Sequence, residues 1–355
     1  NGGGGASSLA AALEPVLRQV CQGRLSEVQW FRSSWQSGGA ATGFATFRVE
    51  GADPVRVVVK LPVGPGEFRW TVALGGLPHA ADQLDDGPPR GGEEQHGLCE
   101  VSPGYACAMG PTPRVFAAGT VIGGYDLAWL VVERLDGTPV SGKLCRESLE
   151  SMLRAAADWY ARAARVRALD GVAAGKVKSE DWDRLLATAR ESIKSRAIGE
   201  QQRWNHLVHQ AQRSLPVLLP RWNARPINTW CHGDLHPGNA MLRAGTAGAK
   251  AGGPGCVLID LALVHPGHWV EDAVYLERLY WGRSEALDGV KPVNFLARAR
   301  RDAGLATPED YTMLANVRRV LMAASAPAFL AREGHPKYMH AALETLERCL
   351  PLAVR

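Results

Sequence analysis

Strand-type and helix-type patterns are almost completely separated along this chain. Before residue 137, short apolar runs predict β-strands at 28–35, 43–49, 55–61, 115–121 and 127–135. After Ser148, apolar residues recur every three or four positions and predict helices over 148–166, 182–195, 200–219, 270–280 and most of 317–350. Strands that precede helices, instead of alternating with them, favour an α+β fold. The sequence therefore predicts two lobes: a small antiparallel β-sheet N-lobe at 1–136 and a larger, mostly helical C-lobe at 137–355.

One segment interrupts the helical half. At 230–263, two short apolar β-type runs flank a loop rich in Gly and Ala, 244–255, which predicts a hairpin inside the C-lobe. The polar residues of greatest interest concentrate on it. A second irregular stretch, 77–97, is rich in Pro, Gly, Asp and Glu, and predicts an exposed insertion in the N-lobe.

Composition restricts the function classes. A chain of 355 residues with 46% hydrophobic and 21% charged residues has the composition of a globular protein with room for two cores. It contains no apolar run long enough for a membrane helix and no secretion-signal pattern near its start, so we expect a cytoplasmic protein with no membrane partner. The net charge of +4 is mild and the arginines are dispersed, which disfavours nucleic-acid binding. The seven cysteines form no C-x-x-C pair and are predicted to be reduced thiols.

The most informative segment is His232-Gly233-Asp234-Leu235-His236-Pro237-Gly238-Asn239, followed by Asp260 at the end of an apolar run. Phosphoryl transfer requires a carboxylate to orient the attacking hydroxyl and accept its proton, and hard oxygen ligands to hold Mg²⁺ against the phosphates. Asp234 can supply the first function, and Asn239 and Asp260 the second. The Asp–Asn spacing also matches the catalytic loop H-R-D-x-x-x-x-N of protein kinases.

On these residues the sequence resembles the aminoglycoside phosphotransferase and choline kinase-like family of the protein-kinase-like fold, whose loop reads H-G-D-x-H-x-x-N. The resemblance implies an ATP- and Mg²⁺-dependent phosphotransferase acting on a hydroxyl group of a small molecule. It implies that Asp234 is the catalytic base, that Asn239 and Asp260 are the magnesium ligands, and that a buried His232 braces the loop. It also implies a structural, loop-anchoring role for Asp272.

Departures from protein kinases refine this interpretation. Asp260 is followed by Leu-Ala where protein kinases have D-F-G, and Gly233 replaces the arginine that pairs with a phosphorylated activation loop. No A-P-E segment follows. These differences favour a small-molecule kinase over a regulated protein kinase.

The N-lobe supplies candidates for nucleotide binding. Lys60 ends the run Val57-Val58-Val59, like the lysine of V-A-I-K that contacts the α- and β-phosphates. Its anionic partner is predicted to be Glu67, with Glu94 and Glu100 as alternatives.

Backbone groups complete the predicted nucleotide site. The glycine-rich hairpin at 38–43, centred on Gly39, could bring backbone N–H groups to the phosphates. The run 130–135 resembles the hinge of the family, where backbone groups near Glu133 and Leu135 would bind adenine.

Two other functions fit part of the pattern. His232, Asp234 and His236 alternate as H-x-D-x-H and would share one face of a strand, as the ligands of a metallohydrolase can. The chain could also be a catalytically silent nucleotide-binding module. The acceptor is predicted to be an aminoglycoside-like antibiotic, a sugar or an amino alcohol, while the choice between ATP and GTP and the oligomeric state stay open.

Overall fold

The structure of the chain is a computed structural model that describes residues 5–31, 40–76, 110–169, 180–195, 198–243 and 255–355. These residues fall into two compact units. The first unit lies within Asn1–Pro139 and Asn239–Val264, and the second within Val140–Gly238 and His265–Arg355. Within the described ranges, no helix is long and apolar enough to cross a membrane.

The first unit is built on a five-stranded antiparallel sheet with the strand order β1-β2-β3-β5-β4. Its strands are β1 (Gln29–Phe31), β2 (Ala41–Phe47), β3 (Val55–Leu61), β4 (Val115–Gly119) and β5 (Trp129–Glu133). The predicted meander of the first three strands is confirmed. Residues 32–39, which contain part of the predicted first strand and Gly39, lie outside the described residues, as does the predicted insertion at 77–97.

Side-chain alternation along β3 determines which face of the sheet each residue occupies. Val57, Val59 and Leu61 are buried in one core cluster with residues of helix α1 (Gly5–Val20). Because successive side chains of a strand point to opposite faces, Lys60 lies on the other face. Helix α2 (Pro65–Leu74) contributes buried residues to a second cluster, which contains buried side chains of β4 and β5.

Part of the predicted glycine-rich loop is strand. Residues 41–43 belong to β2, with Gly43 opposite Val59 of β3 and Trp30 of β1. A Cβ atom at Gly43 would lie 2.4 Å from Cγ1 of Val28, so this glycine is required for close packing at the edge of the sheet.

The predicted hairpin divides between the two units. Strands β7 (Ala240–Leu242) and β8 (Cys256–Leu258) pair with each other and belong to the first unit. The sequence analysis placed all of 230–263 in the C-lobe, whereas the division into compact units groups 239–264 with the first unit. Bonds within the first unit explain the difference: the N–H of Leu258 donates to the carbonyl of Pro111 at 2.7 Å, and Arg243 binds Glu133 at 2.6 Å.

The second unit is mostly helical and contains one small two-stranded sheet, β6 (Thr229–Cys231) paired with β9 (His265–Gly267). Its helices are α3 (Arg146–Val166), α4 (Trp182–Ser195), α5 (Gln201–Arg213), α6 (Leu215–Asn223), α7 (Val270–Leu279), α8 (Pro292–Asp302), α9 (Tyr311–Ser325), α10 (Leu330–Glu333) and α11 (Pro336–Val354).

Two differences from the predicted helices have local causes. The single helix predicted over 200–219 is broken at Ser214, because Pro216 in the first turn of α6 has no N–H to continue the hydrogen bonds of α5. Helix α8 was not predicted, although Pro292 at its start is typical of a first helical turn.

A buried ion pair joins the start of α7 to Arg225, which follows helix α6 by two residues. Arg225 donates to Glu271 at 3.0 Å, and the N–H of His268 donates to the same carboxylate at 2.9 Å. Burial opposes ionisation of Glu271, but a hydrogen bond from His265, the charges of Arg318 and Arg225 and the His268 N–H outweigh it and lower its pKa to about 2.

Acid should remove this stabilisation in a defined pH window. The pKa of Glu271 is lower in the folded chain than the ordinary value of 4.5. The carboxylate therefore stabilises the fold fully above that value, and the contribution is lost as the pH falls towards 2. From urea denaturation, we expect the free energy of unfolding to fall over this window by about 3 kcal/mol more in the wild type than in Glu271→Gln. Parallel pH dependences in the two proteins would contradict the assignment.

Candidate active site

The loop that carries Asp234 is anchored by one buried carboxylate. Asp272, 1% exposed in the first turn of α7, accepts hydrogen bonds from the backbone N–H groups of His232 at 2.7 Å and Gly233 at 2.9 Å. It also accepts one from the hydroxyl of Tyr160 at 2.8 Å. A buried carboxylate with three donors is well compensated for the loss of water. The predicted loop-anchoring role of Asp272 is confirmed.

Residues 232 and 233 adopt the conformations that this anchoring requires. The backbone of Gly233 has φ +81°, a left-handed value at which glycine is favoured. His232 is fully buried, and its Nδ1 accepts a hydrogen bond from the N–H of Asp234 at 3.3 Å. The imidazole therefore braces the loop from within, as the resemblance implies.

Asp234 presents a half-buried carboxylate with donors next to both oxygens. The hydroxyl of Tyr275 donates to Oδ1 at 2.6 Å, and Nε2 of His236 lies 3.5 Å from Oδ2. The side chain of Asp234 is 25% exposed, so a partner in solution can reach it. The bond from Tyr275 was not predicted, although Tyr275 follows Asp272 by three residues and a helix places such residues on one face.

The tautomer of His236 follows from its backbone contact. The N–H of Gly238 donates to Nδ1 of His236 at 3.0 Å, so Nδ1 is the unprotonated acceptor and Nε2 carries the hydrogen that points towards Asp234. A Cβ atom at Gly238 would lie 2.6 Å from Cε1 of this ring. The Pro-Gly turn therefore leaves room for the imidazole.

Asn239 and Asp260 lie at the same end of the β7–β8 hairpin in the first unit. Asn239 immediately precedes β7 and Asp260 follows β8 by two residues, and the N–H of Ile259 donates to the carbonyl of Asn239 at 2.9 Å. Asp260 is exposed, with a left-handed backbone at φ +61° and ψ 69°. Such conformations cost about 1–3 kcal/mol and cluster at functional sites. Two oxygen-bearing residues at one end of a hairpin, one of them an exposed aspartate, would suit Mg²⁺.

Lys60 and Glu67 form an ion pair in the first unit, with Nζ 2.5 Å from Oε1. The side chains are 23% and 13% exposed, so the lysine is held in a defined position without being sealed from solvent. The pairing predicted for Glu67 is observed, while Glu94 and Glu100 lie outside the described residues.

Helix α2, which carries Glu67, also packs on the turn that follows Asp260. A Cβ atom at Gly66 would lie 3.2 Å from the carbonyl oxygen of Ala262. Glycine at position 66 thus permits close approach of the helix to the 3₁₀ turn Leu261–Leu263. Helix α2 therefore binds Lys60 through Glu67 and also packs against the turn that begins next to Asp260.

The predicted hinge ends strand β5. The N–H of Glu133 donates to the carbonyl of Arg114 at 2.8 Å, so the N–H of this residue is already occupied. Burial opposes ionisation of the Glu133 carboxylate, but hydrogen bonds from Arg243 and from the N–H of Arg114, together with their charges, lower its pKa. Leu135 is half-buried just beyond the strand. Sequence analysis did not predict the role of Arg243, which joins the end of β7 to this hinge.

Two solved structures resemble the chain over most of its length. One is a candidate aminoglycoside phosphotransferase from Ralstonia eutropha JMP134, at 14% identity and a TM-score of 0.51, with 97% of this chain and 98% of that chain covered. The other is an aminoglycoside phosphotransferase from Alicyclobacillus acidocaldarius, also at 14% identity and a TM-score of 0.51, with 93% and 91% covered. These likenesses establish the fold, and the predicted α+β, protein-kinase-like fold is confirmed. A comparison with curated proteins finds no match.

A family model described as the phosphotransferase enzyme family matches residues 37–311, which is well over half of the chain. The chain belongs to this family and is a phosphotransferase that acts on a hydroxyl group. The metallohydrolase hypothesis is replaced by this assignment. Residues 232–236 do not form a strand, and the described part of the chain has no group of three or more His, Cys, Asp or Glu side chains able to hold a metal ion.

Removing the anchor of the loop should destabilise the second unit. Asp272→Ala leaves three donors without their acceptor, of which the His232 N–H and the Tyr160 hydroxyl are buried. We expect a loss of about 3–5 kcal/mol in the free energy of unfolding measured by urea denaturation. The exposed Asp302 at the end of α8 provides the matched control, and Asp302→Ala should change the same quantity by less than about 0.5 kcal/mol. Similar effects of the two substitutions would contradict the anchoring role.

Proposed function

We propose that this chain transfers the γ-phosphoryl group of ATP to a hydroxyl group of a small molecule, with Asp234 as the catalytic base. The observation that carries the proposal is the partly exposed Asp234 carboxylate on a loop whose backbone is fixed by buried Asp272. A base must hold one orientation while its substrate exchanges with solvent, and this arrangement supplies both properties.

The remaining roles are divided among residues of the first unit. Asn239 and Asp260 would hold Mg²⁺ through their side-chain oxygens, and Lys60, oriented by Glu67, would contact the phosphates of ATP. Backbone groups of Leu135 and the carbonyl of Glu133 would bind adenine, and the segment around Gly39 would cover the phosphates. When bound, Mg²⁺ neutralises negative charge on the phosphate oxygens.

In the proposed reaction, Asp234 accepts the proton of the acceptor hydroxyl as its oxygen bonds to the γ-phosphorus. The bond between that phosphorus and the bridging oxygen of ADP breaks, and the proton on Asp234 is then released to solvent. Lys60 contributes positive charge towards the phosphates, and its bond to Glu67 limits the orientations that Nζ can adopt.

The charge pattern around α7 informs the choice of acceptor. Glu277 is paired with Arg319 at 2.8 Å, and Glu333 is paired with Arg278. A polycationic acceptor would need carboxylates that are not already neutralised by arginine. We therefore favour a sugar or amino alcohol carrying at most one positive charge over an acceptor with several amino groups.

A screen for release of ADP from ATP, or of GDP from GTP, tests the proposal. The panel contains kanamycin, spectinomycin, choline, ethanolamine and neutral sugars, each with Mg-ATP and with Mg-GTP, and the product is checked for a phosphate ester by mass spectrometry. Phosphorylation of any hydroxyl acceptor supports the proposal, and the ranking of acceptors by charge tests the preference stated above. Binding of Mg-ATP without turnover, on this panel or with water, would instead favour the silent nucleotide-binding module.

Replacing the base should affect turnover far more than nucleotide binding. Asp234→Asn keeps the shape of the side chain but removes its ability to accept a proton, so we expect kcat to fall about 10²–10⁴-fold. The dissociation constant of Mg-ATP, measured by calorimetry, should change less than about threefold. Full turnover in Asp234→Asn would remove this residue from its proposed role.

Replacing a metal ligand should have the opposite pattern. Asp260→Ala removes a carboxylate from the proposed Mg²⁺ site, so we expect the dissociation constant of ATP in the presence of Mg²⁺ to rise about 10- to 100-fold. Asp126, exposed in the first unit, provides the control, and Asp126→Ala should bind Mg-ATP like the wild type. The assignment of Asp260 fails if its substitution leaves the Mg-ATP titration unchanged.

A further inference from the structure

Helix α7 binds both the backbone of the loop at residues 232 and 233 and the side chain of Asp234. Asp272 and Tyr275 are three residues apart on α7 and therefore share a face of that helix. The first accepts hydrogen bonds from the loop backbone, and the second donates to Oδ1 of Asp234 at 2.6 Å. Loop and carboxylate are thus positioned by the same rigid element.

We propose that Tyr275 is a positioning residue for phosphoryl transfer, which holds Oδ1 of Asp234 so that Oδ2 receives the proton of the acceptor hydroxyl. The inference rests on the function proposed above and adds to it a residue that the H-G-D-x-H-x-x-N pattern does not contain. Tyr275 acts through Asp234 and forms no bond to the phosphoryl group.

The choice of oxygen follows from the donors around the carboxylate. A hydrogen bond of 2.6 Å from a hydroxyl to a carboxylate is short and charge-assisted, so Tyr275 is the strong partner of Oδ1. His236 approaches Oδ2 at 3.5 Å, which is a weaker contact. Proton uptake at Oδ2 leaves the strong bond intact, whereas uptake at Oδ1 would compete with it.

Tyr275 remains a donor throughout the neutral range. Burial, the hydrogen bond to Asp234 and the negative charge of that carboxylate raise the pKa of Tyr275 well above its usual value, while the charge of Arg278 opposes the shift and that of Glu333 adds to it. His236, which lies 3.5 Å from the other oxygen of Asp234, is a further titratable group next to this pair. The phenol is therefore protonated when Asp234 is an anion.

The test compares Tyr275→Phe with Tyr280→Phe, which removes a hydroxyl at the end of the same helix. Two reactions are measured for each variant. The first is hydrolysis of Mg-ATP with water as the acceptor, and the second is phosphorylation of the best acceptor found in the panel. We expect Tyr275→Phe to lower kcat about 10- to 100-fold with the KM for Mg-ATP changed less than about threefold. Because the hydroxyl favours the ionised carboxylate, its loss should raise the pKa of Asp234 and move the acid limb of the kcat profile up by about one pH unit. Tyr280→Phe should match the wild type in each respect.

A readout without catalysis tests the bond itself. In protein labelled with ¹³C at tyrosine Cζ, the resonance of Tyr275 is assigned by its loss in Tyr275→Phe. We expect its chemical shift at neutral pH to differ between Asp234→Asn and the wild type, because the phenol loses its anionic acceptor. An unchanged chemical shift shows that the two side chains are not bonded in solution and overturns the proposal.

The outcomes separate this inference from the proposed function. If Asp234→Asn is inactive while Tyr275→Phe keeps the kcat and pH profile of the wild type, the positioning role fails and the proposed function stands. If Asp234→Asn keeps full turnover, Asp234 loses its proposed role as the base, and the positioning role of Tyr275 fails with it. A urea denaturation curve for each variant establishes that the compared proteins are folded.

Discussion

The burial of Asp272 is the constraint on which the loop of Asp234 depends. A carboxyl group that is 1% exposed needs hydrogen-bond donors in place of water, and here the donors are the backbone of residues 232 and 233 and the hydroxyl of Tyr160. Satisfying this carboxylate fixes the path of the loop, and the path of the loop fixes Asp234. The hydrogen bonds that buried Asp272 accepts therefore position the half-buried carboxylate of Asp234.

In the first unit, ion pairs and close packing hold polar side chains in defined positions. Lys60 is oriented by Glu67, and the helix that carries Glu67 packs on the turn after Asp260, where Gly66 permits close approach to Ala262. Arg243 connects the end of the β7–β8 hairpin to Glu133 at the end of β5. Lys60, Glu133 and the residues that end the β7–β8 hairpin are thereby tied to one sheet and one helix, and a rigid support of this kind would suit the phosphate site proposed above.

Residue types and spacing in the sequence predicted the features that depend on residues close together along the chain. The alternation of β3, the turn residues of the segment 232–239 and the ion pair of Lys60 with Glu67 depend on neighbours in sequence, and each could be predicted from residue types and spacing. The bond between Tyr275 and Asp234 joins residues 41 positions apart, and the pair of Arg243 with Glu133 joins residues 110 apart. The spacing of apolar residues along the sequence does not predict contacts between residues so far apart. The hairpin 239–264 belongs to the first unit for the same reason, since its partners are Pro111 and Glu133.

We propose that Asn239 and Asp260 hold one divalent cation against the triphosphate of ATP. A crystal structure with Mg²⁺ and a non-hydrolysable ATP analogue tests it most directly. We expect side-chain oxygens of both residues to lie about 2.0–2.1 Å from the same Mg²⁺ ion, with Nζ of Lys60 on the phosphates and the Asp234 carboxylate towards the γ-phosphate. A bound nucleotide whose metal touches neither Asn239 nor Asp260, or whose γ-phosphate is remote from Asp234, would contradict it.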